Sequence, residues 1–539
     1  MMYDIIVLGS GACGVNAAFP LTAAGFQVAM VDFGHTDNSY ASIIPELPFW
    51  EIRESDKNQH RYFLGDHYEG ISLGKIPVGA QLTPPRQYIT HGVSDRLPID
   101  SSSFFPLESL AAGGLASGWG ANAYPFSKQD MAQFPLEHQH LIRHFETVAE
   151  RIGISGEYDD LLPFYGSCAS LQPPLKMDKN GESILSRYKK IKFNINKGGL
   201  YLGRSRQAVI TQPFHGRNAN QYFDMSFWGD KDRSVYRPTY TLQELKAYEN
   251  FTYHQPVFGH SFIENSDNTI EIIGYDNQGR EVRIKSRYLI LAAGVLGTIR
   301  IVLRSLNKYD VKVPILSNPY SYVSLLNMNV IGTMPYERNH SLAQLAAIFK
   351  PPNPEEPEIH ITAHTYRSLL NFKLIKETPL PFPESMALIR RLIPALTVLA
   401  FSHEDRPAND KYCTLHHGEP GDPDRLEIVY EPSRTDQLRQ NRHEKMILKL
   451  FRKMGGYHFK TIRPGHAASI HYGGTLAMVS EPDELTVDIS CRLYGTRSVY
   501  IADASVFPYL PAKGQTFTAM ANANRVGQLI MEKLKQNAR

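Results

Sequence analysis

The chain is poor in cysteine: Cys13, Cys168, Cys413 and Cys491 are the four it has in 539 residues, widely spaced and with no C-x-x-C pair. That pattern excludes a disulfide scaffold, a zinc site of ordinary ligand spacing and a redox dithiol. It also lacks a surplus of charge, with 57 Lys and Arg against 54 Asp and Glu, so nothing in the balance points to nucleic acid or an anionic surface. Long apolar runs are missing too. Residues 5–31 are nearly uncharged, but Gly9, Gly11, Gly14, Pro20 and Gly25 interrupt them and Asp4 stands where a signal peptide carries Lys or Arg. No other stretch reaches the roughly 18 apolar residues of a membrane span. With 39 Gly and 35 Pro in no repeat, collagen, coiled coil and disorder are excluded. The expectation is a cytoplasmic protein with reduced thiols, no membrane span and no nucleic-acid partner. At roughly 150 residues per domain it holds two or three units.

What is present begins at the N-terminus. Tyr3–Leu8 is a short apolar, β-branched run of the kind buried in a parallel sheet. It leads into Gly9-Ser10-Gly11-Ala12-Cys13-Gly14, a G-x-G-x-x-G. A helix is predicted over 12–24, stopped by Gly25, and then a second strand over 26–31 that ends at Asp32. In that setting one glycine makes a tight turn, the next lets the backbone approach a pyrophosphate, the third packs helix on strand, and the acid meets a ribose. The surrounding strand, helix, strand and acid separate the motif from an accidental glycine turn, so a bound dinucleotide is expected. Pro20 breaks a local rule, because a proline inside a helix removes a backbone bond at a cost of about 3 kcal/mol or a kink. Cys13 is expected to be a small packing residue, with a reactive thiol as the alternative.

The motif does not recur, which points to a single dinucleotide. Gly113-Gly114-Leu115-Ala116-Ser117-Gly118-Trp119-Gly120-Ala121-Asn122 is either a segment that lies flat against a planar ligand or a glycine-rich surface turn. Residues 253–264, 269–275 and 281–285 read as a β meander feeding a buried strand over 288–291. Ala292-Ala293-Gly294 follow as a second small-residue place for a cofactor, and then a helix over 298–305. Residues 334–425 are Pro-rich, polar and weakly periodic, as in a substrate-facing region, with 392–401 a core element; 436–454 is a helix. Near the C-terminus come Ser469–Thr475 with His471, a strand over 498–502, Asp503–Pro508, and Pro511–Thr516 leading into a helix over 517–535. Free amides at that helix start suit negative charge.

These segments in this order resemble the glucose-methanol-choline (GMC) oxidoreductases, a family of FAD enzymes, and in particular its bacterial sugar- and alcohol-oxidising branch. The resemblance rests on the N-terminal motif, the 113–126 loop, 291–298, His471-x-x-Gly474-Thr475 and 500–508; residues 136–235 and 311–460 match nothing usable. It implies an α/β fold. A Rossmann-like FAD-binding domain is assembled from 1–135, 236–310 and 463–539, and an α+β substrate-binding domain with an antiparallel sheet comes from 136–235 and 311–462.

By the same resemblance Gly9, Gly11 and Gly14, with Ala12 and Cys13, surround the FAD pyrophosphate, and Asp32 meets the adenosine ribose. Gly114, Ser117, Gly120 and Ala121 line flavin and phosphates, Val257 the adenine side, and Ala293 and Gly294 the cofactor. Asp503 and Ala504 face the ribityl chain and pyrophosphate, and Thr516 and Phe517 the flavin pyrimidine edge. Members similar to pyranose oxidase attach FAD through a histidine just before the loop tryptophan; Gly118 stands there, so FAD is expected to be non-covalent.

The activity implied is oxidation of a CH–OH group of a polar alcohol, sugar or glycoside, with His471 as base and His466 as a structural neighbour. At the second catalytic position, where the family carries His or Asn, this chain has Gly514. Gln515 or Lys513 is expected to replace it. A flavin-binding protein or non-redox lyase on the same fold is the alternative, and the electron acceptor stays open. An NAD-dependent dehydrogenase accounts for the first motif and leaves 471–475 and 502–508 unexplained.

Overall fold

The computed structural model describes residues 2–36, 39–70, 83–333, 338–365 and 378–537. The N-terminal run forms β1 (Tyr3–Leu8), buried apart from its edge, and it pairs in parallel with β2 (Val28–Val31) and β8 (Glu281–Leu291). Between β1 and β2 lies the first helix, Ala12–Ala23, which ends at Gly25 with φ 88°. A strand apolar on both faces needs cover on both, which a parallel crossover supplies. The sheet runs β5 (Phe251–His254), β2, β1, β8, β7 (Ile270–Tyr275), β6 (Phe258–Glu264), and β19 (Val499–Ile501) adds in parallel at the far end of β8. Strands from both ends of the chain and from its middle therefore share one sheet. The expected single strand over 253–264 is two, because Pro256 has no N–H with which to continue a ladder.

The terminal helix, Thr516–Asn537, crosses the first helix. They meet at Gly527, where a β-carbon would lie 2.1 Å from the Ala17 carbonyl oxygen and 2.9 Å from Pro20 Cγ. Pro20 thus forms part of the contact. The carbonyl it deprives of a backbone donor is that of Asn16, and Asn524 Nδ2 on the terminal helix donates to it at 3.5 Å. The proline is accommodated within one unbroken helical span.

A second sheet is antiparallel throughout, in the order β17 (Gly456–Ile462), β11 (Tyr320–Asn327), β14 (Leu396–Ser402), β13 (Ile359–Thr365), β12 (Ala343–Phe349), β4 (Leu200–Arg204). Side chains alternate between its faces. Val323, Ile361, Leu399 and Phe401 pack with Ile184, Tyr188, Ile447 and Phe451 of the helices Lys179–Lys197 and Arg434–Lys453. Tyr320, Tyr322, Thr362, His364 and Ala400 occupy the opposite parity. The segment expected as a core element at 392–401 is largely β14, a central strand of this sheet.

A third sheet joins β3 (Ile99–Asp100), β16 (Arg425–Tyr430), β15 (Lys411–His416) and β9 (Val313–Pro314). Its hairpin was expected in the substrate-binding part. Its residues Cys413, Leu415, Leu426 and Ile428 pack instead into the core built on β1 and β8. The short pair β10 (Leu316–Ser317) and β18 (Tyr472–Gly473) ties the stretch entering β11 to the residues beside His471. Among the described residues no helix is long and apolar enough to cross a membrane.

Candidate active site

A cavity of about 510 Å³ is walled by the glycine turn, the 113–122 loop, the 292–297 turn, the 468–472 segment and the start of the terminal helix. Gly9 sits at φ 101°, and a β-carbon there would lie 2.5 Å from the Ala292 carbonyl oxygen; one on Gly14 would lie 1.9 Å from the Gly9 oxygen. These two positions hold the turn closed. Gly11 differs, since a β-carbon there would meet only the Gly113 oxygen, at 3.9 Å, and at Gly120 or Gly294 it would meet nothing within 4 Å. Bare backbone from three distant segments therefore faces one space, beside a helix start with no acidic residue in its first turn. A dinucleotide pyrophosphate fits such a cradle.

Asp32 lines the cavity at the end of β2. Ser10 Oγ and, at 3.0 Å, Tyr253 OH donate to its Oδ2. Burial pushes its carboxyl up to about 6 against those hydrogen bonds and those from the Ser10 and Phe33 backbone amides. Asp503 follows β19 and is held by Thr298 Oγ1 at 2.5 Å and by the Ser505 amide at 3.0 Å. Cys13 lines the same space, but burial, reinforced by Asp503, pushes its thiol far up. It packs, partly buried, against the core around β1, a setting that disfavours the thiolate.

His471 lies just before β18, with Ile470 at φ 58° turning the chain ahead of it. Its Nδ1 is buried without a hydrogen-bond partner among the described residues, and burial lowers its pKa to about 4. The imidazole is therefore neutral at pH 7. Across from the 468–472 segment, the second sheet contributes Tyr320, Tyr322, His364 and Ala400, with Ser341 and Leu342 from the approach to β12. Burial also lowers His364, to about 4. The described side chains of this wall consequently carry no formal charge.

Not every expected site residue meets the cavity. Gly9, Gly11, Ala12, Cys13, Asp32, Gly114, Gly120, Val257, Ala293, Gly294, His471, Asp503, Ala504, Gln515 and Thr516 line it. Gly14, Ser117, Ala121, Phe517 and Lys513 lie behind its surface. Ser117 Oγ donates to the Ala112 carbonyl at 2.9 Å, and the Phe517 ring lies tilted 5.4 Å from that of Phe145 in a separate core cluster. Lys513 ion-pairs with Asp130 and donates to the Phe164 carbonyl at 2.8 Å. Its charge depresses the His360 pKa, after burial, and does not contribute at His471.

Gln515 donates from Nε2 to the Tyr472 carbonyl at 2.5 Å, which anchors the backbone beside His471, while its Oε1 is buried without a hydrogen-bond partner among the described residues. His466 packs 4.9 Å from the Tyr430 ring, outside the cavity. Sequence reasoning missed Tyr320, Tyr322, Ser341 and His364. The period-two alternation of 320–325 and 359–364 was the available signal.

Comparison with known proteins fits this geometry. Residues 416–523 match the family model described as GMC oxidoreductase, covering the His471 motif, β19 and the start of the terminal helix. No curated protein matches the chain. Among solved structures, pyridoxine 4-oxidase from Mesorbium loti superposes with a TM-score of 0.60 at 14% identity, over 98% of this chain and 99% of that one. A formate oxidase from Aspergillus oryzae, studied for FAD modification, gives 0.59 at 13% identity over 99% of both chains. At such identities the likeness is one of fold. The architecture is the mixed α/β fold of these two structures. The likeness to the GMC oxidoreductases in sequence lies in the C-terminal region, residues 416–523.

Proposed function

We propose that the protein is an FAD-dependent oxidoreductase that oxidises a CH–OH group of an uncharged polar alcohol, sugar or glycoside. The observation that carries the reading is continuity: one cavity joins the bare glycine turn and Asp32 to His471. FAD is held without a covalent bond by the 9–14 turn, Asp32 and the 113–120 loop, Gly118 offering no side chain for attachment. Bound there, FAD supplies a hydride acceptor.

His471 accepts the hydroxyl proton at Nε2, since Nδ1 is turned into the protein. Its neutrality at pH 7 leaves that lone pair free. Gln515 fixes the Tyr472 carbonyl and so the main-chain position of the base. Tyr320, Tyr322 and His364 close the far wall, and their lack of charge favours a neutral substrate.

The test is to load the purified protein with FAD, record the flavin spectrum, and add a panel of alcohols, sugars and glycosides under anaerobic conditions. Bleaching with formation of the matching carbonyl product is expected. A yellow protein that no member bleaches points to the non-redox alternative, and failure to take up FAD overturns the reading outright.

A further inference from the structure

The run Pro511–Gln515 is buried except at Gly514. Gly514 does not have a positive φ, so its backbone suits any L-residue. Apart from its chain neighbours Lys513 and Gln515, a β-carbon there would have only His471 within 4 Å among the described residues, at 3.4 Å from Cε1 and 3.5 Å from Nε2, which is ordinary van der Waals contact. Glycine is thus demanded neither by torsion nor by packing, in contrast to Gly9, Gly14 and Gly527, whose β-carbons would strike backbone oxygens. What the missing side chain preserves is volume against the nitrogen that faces a substrate hydroxyl. Of the neighbouring side chains, Lys513 is held by Asp130 and Gln515 by the Tyr472 carbonyl through Nε2.

A carbinol with its hydroxyl at His471 Nε2 carries a C–H bond that breaks and two further substituents. In a primary alcohol one of those is hydrogen; in a secondary alcohol both are carbon. The C–O bond is short, so the second carbon must sit close to the nitrogen that takes the proton. We infer that Gly514 is a specificity-determining residue whose clearance admits this second carbon, and that the site acts on secondary carbinols, ring CH–OH groups included. The inference rests on the function proposed above. The alcohol O–H proton goes to His471 and the C–H hydride, with its electron pair, to the flavin; the alcohol is oxidised to a ketone and the flavin is reduced by two electrons.

The test uses isomers of one formula, 1-phenylethanol (secondary) and 2-phenylethanol (primary), together with 2-butanol and 1-butanol. Methyl α-glucopyranoside is added because it offers ring and C6 hydroxyls in one molecule. Anaerobic kcat/KM for flavin reduction is measured with the FAD-loaded wild type and Gly514→Ala. Binding of the products acetophenone and phenylacetaldehyde is measured by calorimetry.

The wild type is expected to favour the secondary isomers and to convert the glycoside to a ring ketone. Gly514→Ala is expected to lower the secondary-to-primary ratio by about tenfold or more, the scale of one carbon in a closed pocket, and to weaken acetophenone relative to phenylacetaldehyde. A wild-type preference for primary isomers or for the C6 aldehyde overturns the inference, as does a ratio unmoved by the substitution. If the variant does not fold, the wild-type preference alone decides. No bleaching by any probe removes the alcohol-oxidation reading itself, an outcome distinct from bleaching in the wrong order.

Discussion

At the scale of single residues, His471 and Asp32 are both displaced by burial, in opposite senses of charge. Burial holds the His471 imidazole neutral down to about pH 4, and a general base works only when unprotonated. Flavin reduction by a non-ionising alcohol is therefore expected to be level through neutral pH and to fall as pH drops through about 4, as read by stopped-flow absorbance across a buffer series. A fall centred near 6.5 would mean that the base is more exposed than the cavity geometry makes it.

The Asp32 carboxyl, raised to about 6, accepts a charge-assisted hydrogen bond from a ribose only when ionised, and that bond is roughly twice as strong as a neutral one. FAD affinity should weaken as pH falls through about 6. Asp32→Ala should raise the FAD dissociation constant about 10- to 100-fold at pH 8, the range for losing a hydrogen bond to a charged group; fluorescence titration of the flavin measures both.

At the scale of elements, the first and terminal helices depend on Gly527. Gly527→Ala places a methyl group 2.1 Å from the Ala17 carbonyl oxygen, and a backbone atom cannot step aside as a flexible side chain does. Overpacking of this kind costs about 1–3 kcal/mol. Chemical denaturation should show that loss together with reduced FAD retention, because the first helix carries the glycine turn at its start.

This contact also shows how far elements were legible in the sequence. The strand, G-x-G-x-x-G and helix at residues 3–23 announce themselves, because buried parallel strands are apolar without interruption and glycine spacing is dictated by a turn. Pro20 could be noticed and not explained, since its partner Asn524 lies at the other end of the chain. The strands bearing Tyr322 and His364 were not recognised. Their outward parity is Tyr, Ser, Thr and His facing a cavity, and those residues blur the contrast between apolar core and charged solvent face on which alternation is read.

At the scale of the whole molecule, the cavity is bounded by two sheets and by segments from residues 9 to 519, so cofactor binding and global stability are coupled. FAD at 100 times its dissociation constant should add about 2.7 kcal/mol, seen as a higher midpoint in thermal melting. A chain cut before Val499 should lose FAD, as it lacks β19, Asp503 and the terminal helix.

That strands from both ends and the middle of the chain share one sheet was legible from the motif order, because glycine-rich and small-residue segments follow strands in all three places. The place of the 411–430 hairpin was not: its strands are as apolar as any core strand, and only the tertiary contact of Cys413, Leu415 and Ile428 assigns them to the core around β1. Nor was the fate of Lys513, whose ion pair with Asp130 is a long-range contact that no local pattern encodes.

The most direct measurement is anaerobic stopped-flow reduction of the FAD-loaded wild type and of His471→Ala by whichever alcohol bleaches the wild type fastest. Loss of a positioned base predicts a rate lower by about 10²- to 10⁴-fold, with FAD binding and the thermal midpoint little changed. Equal rates in the two proteins would contradict the account.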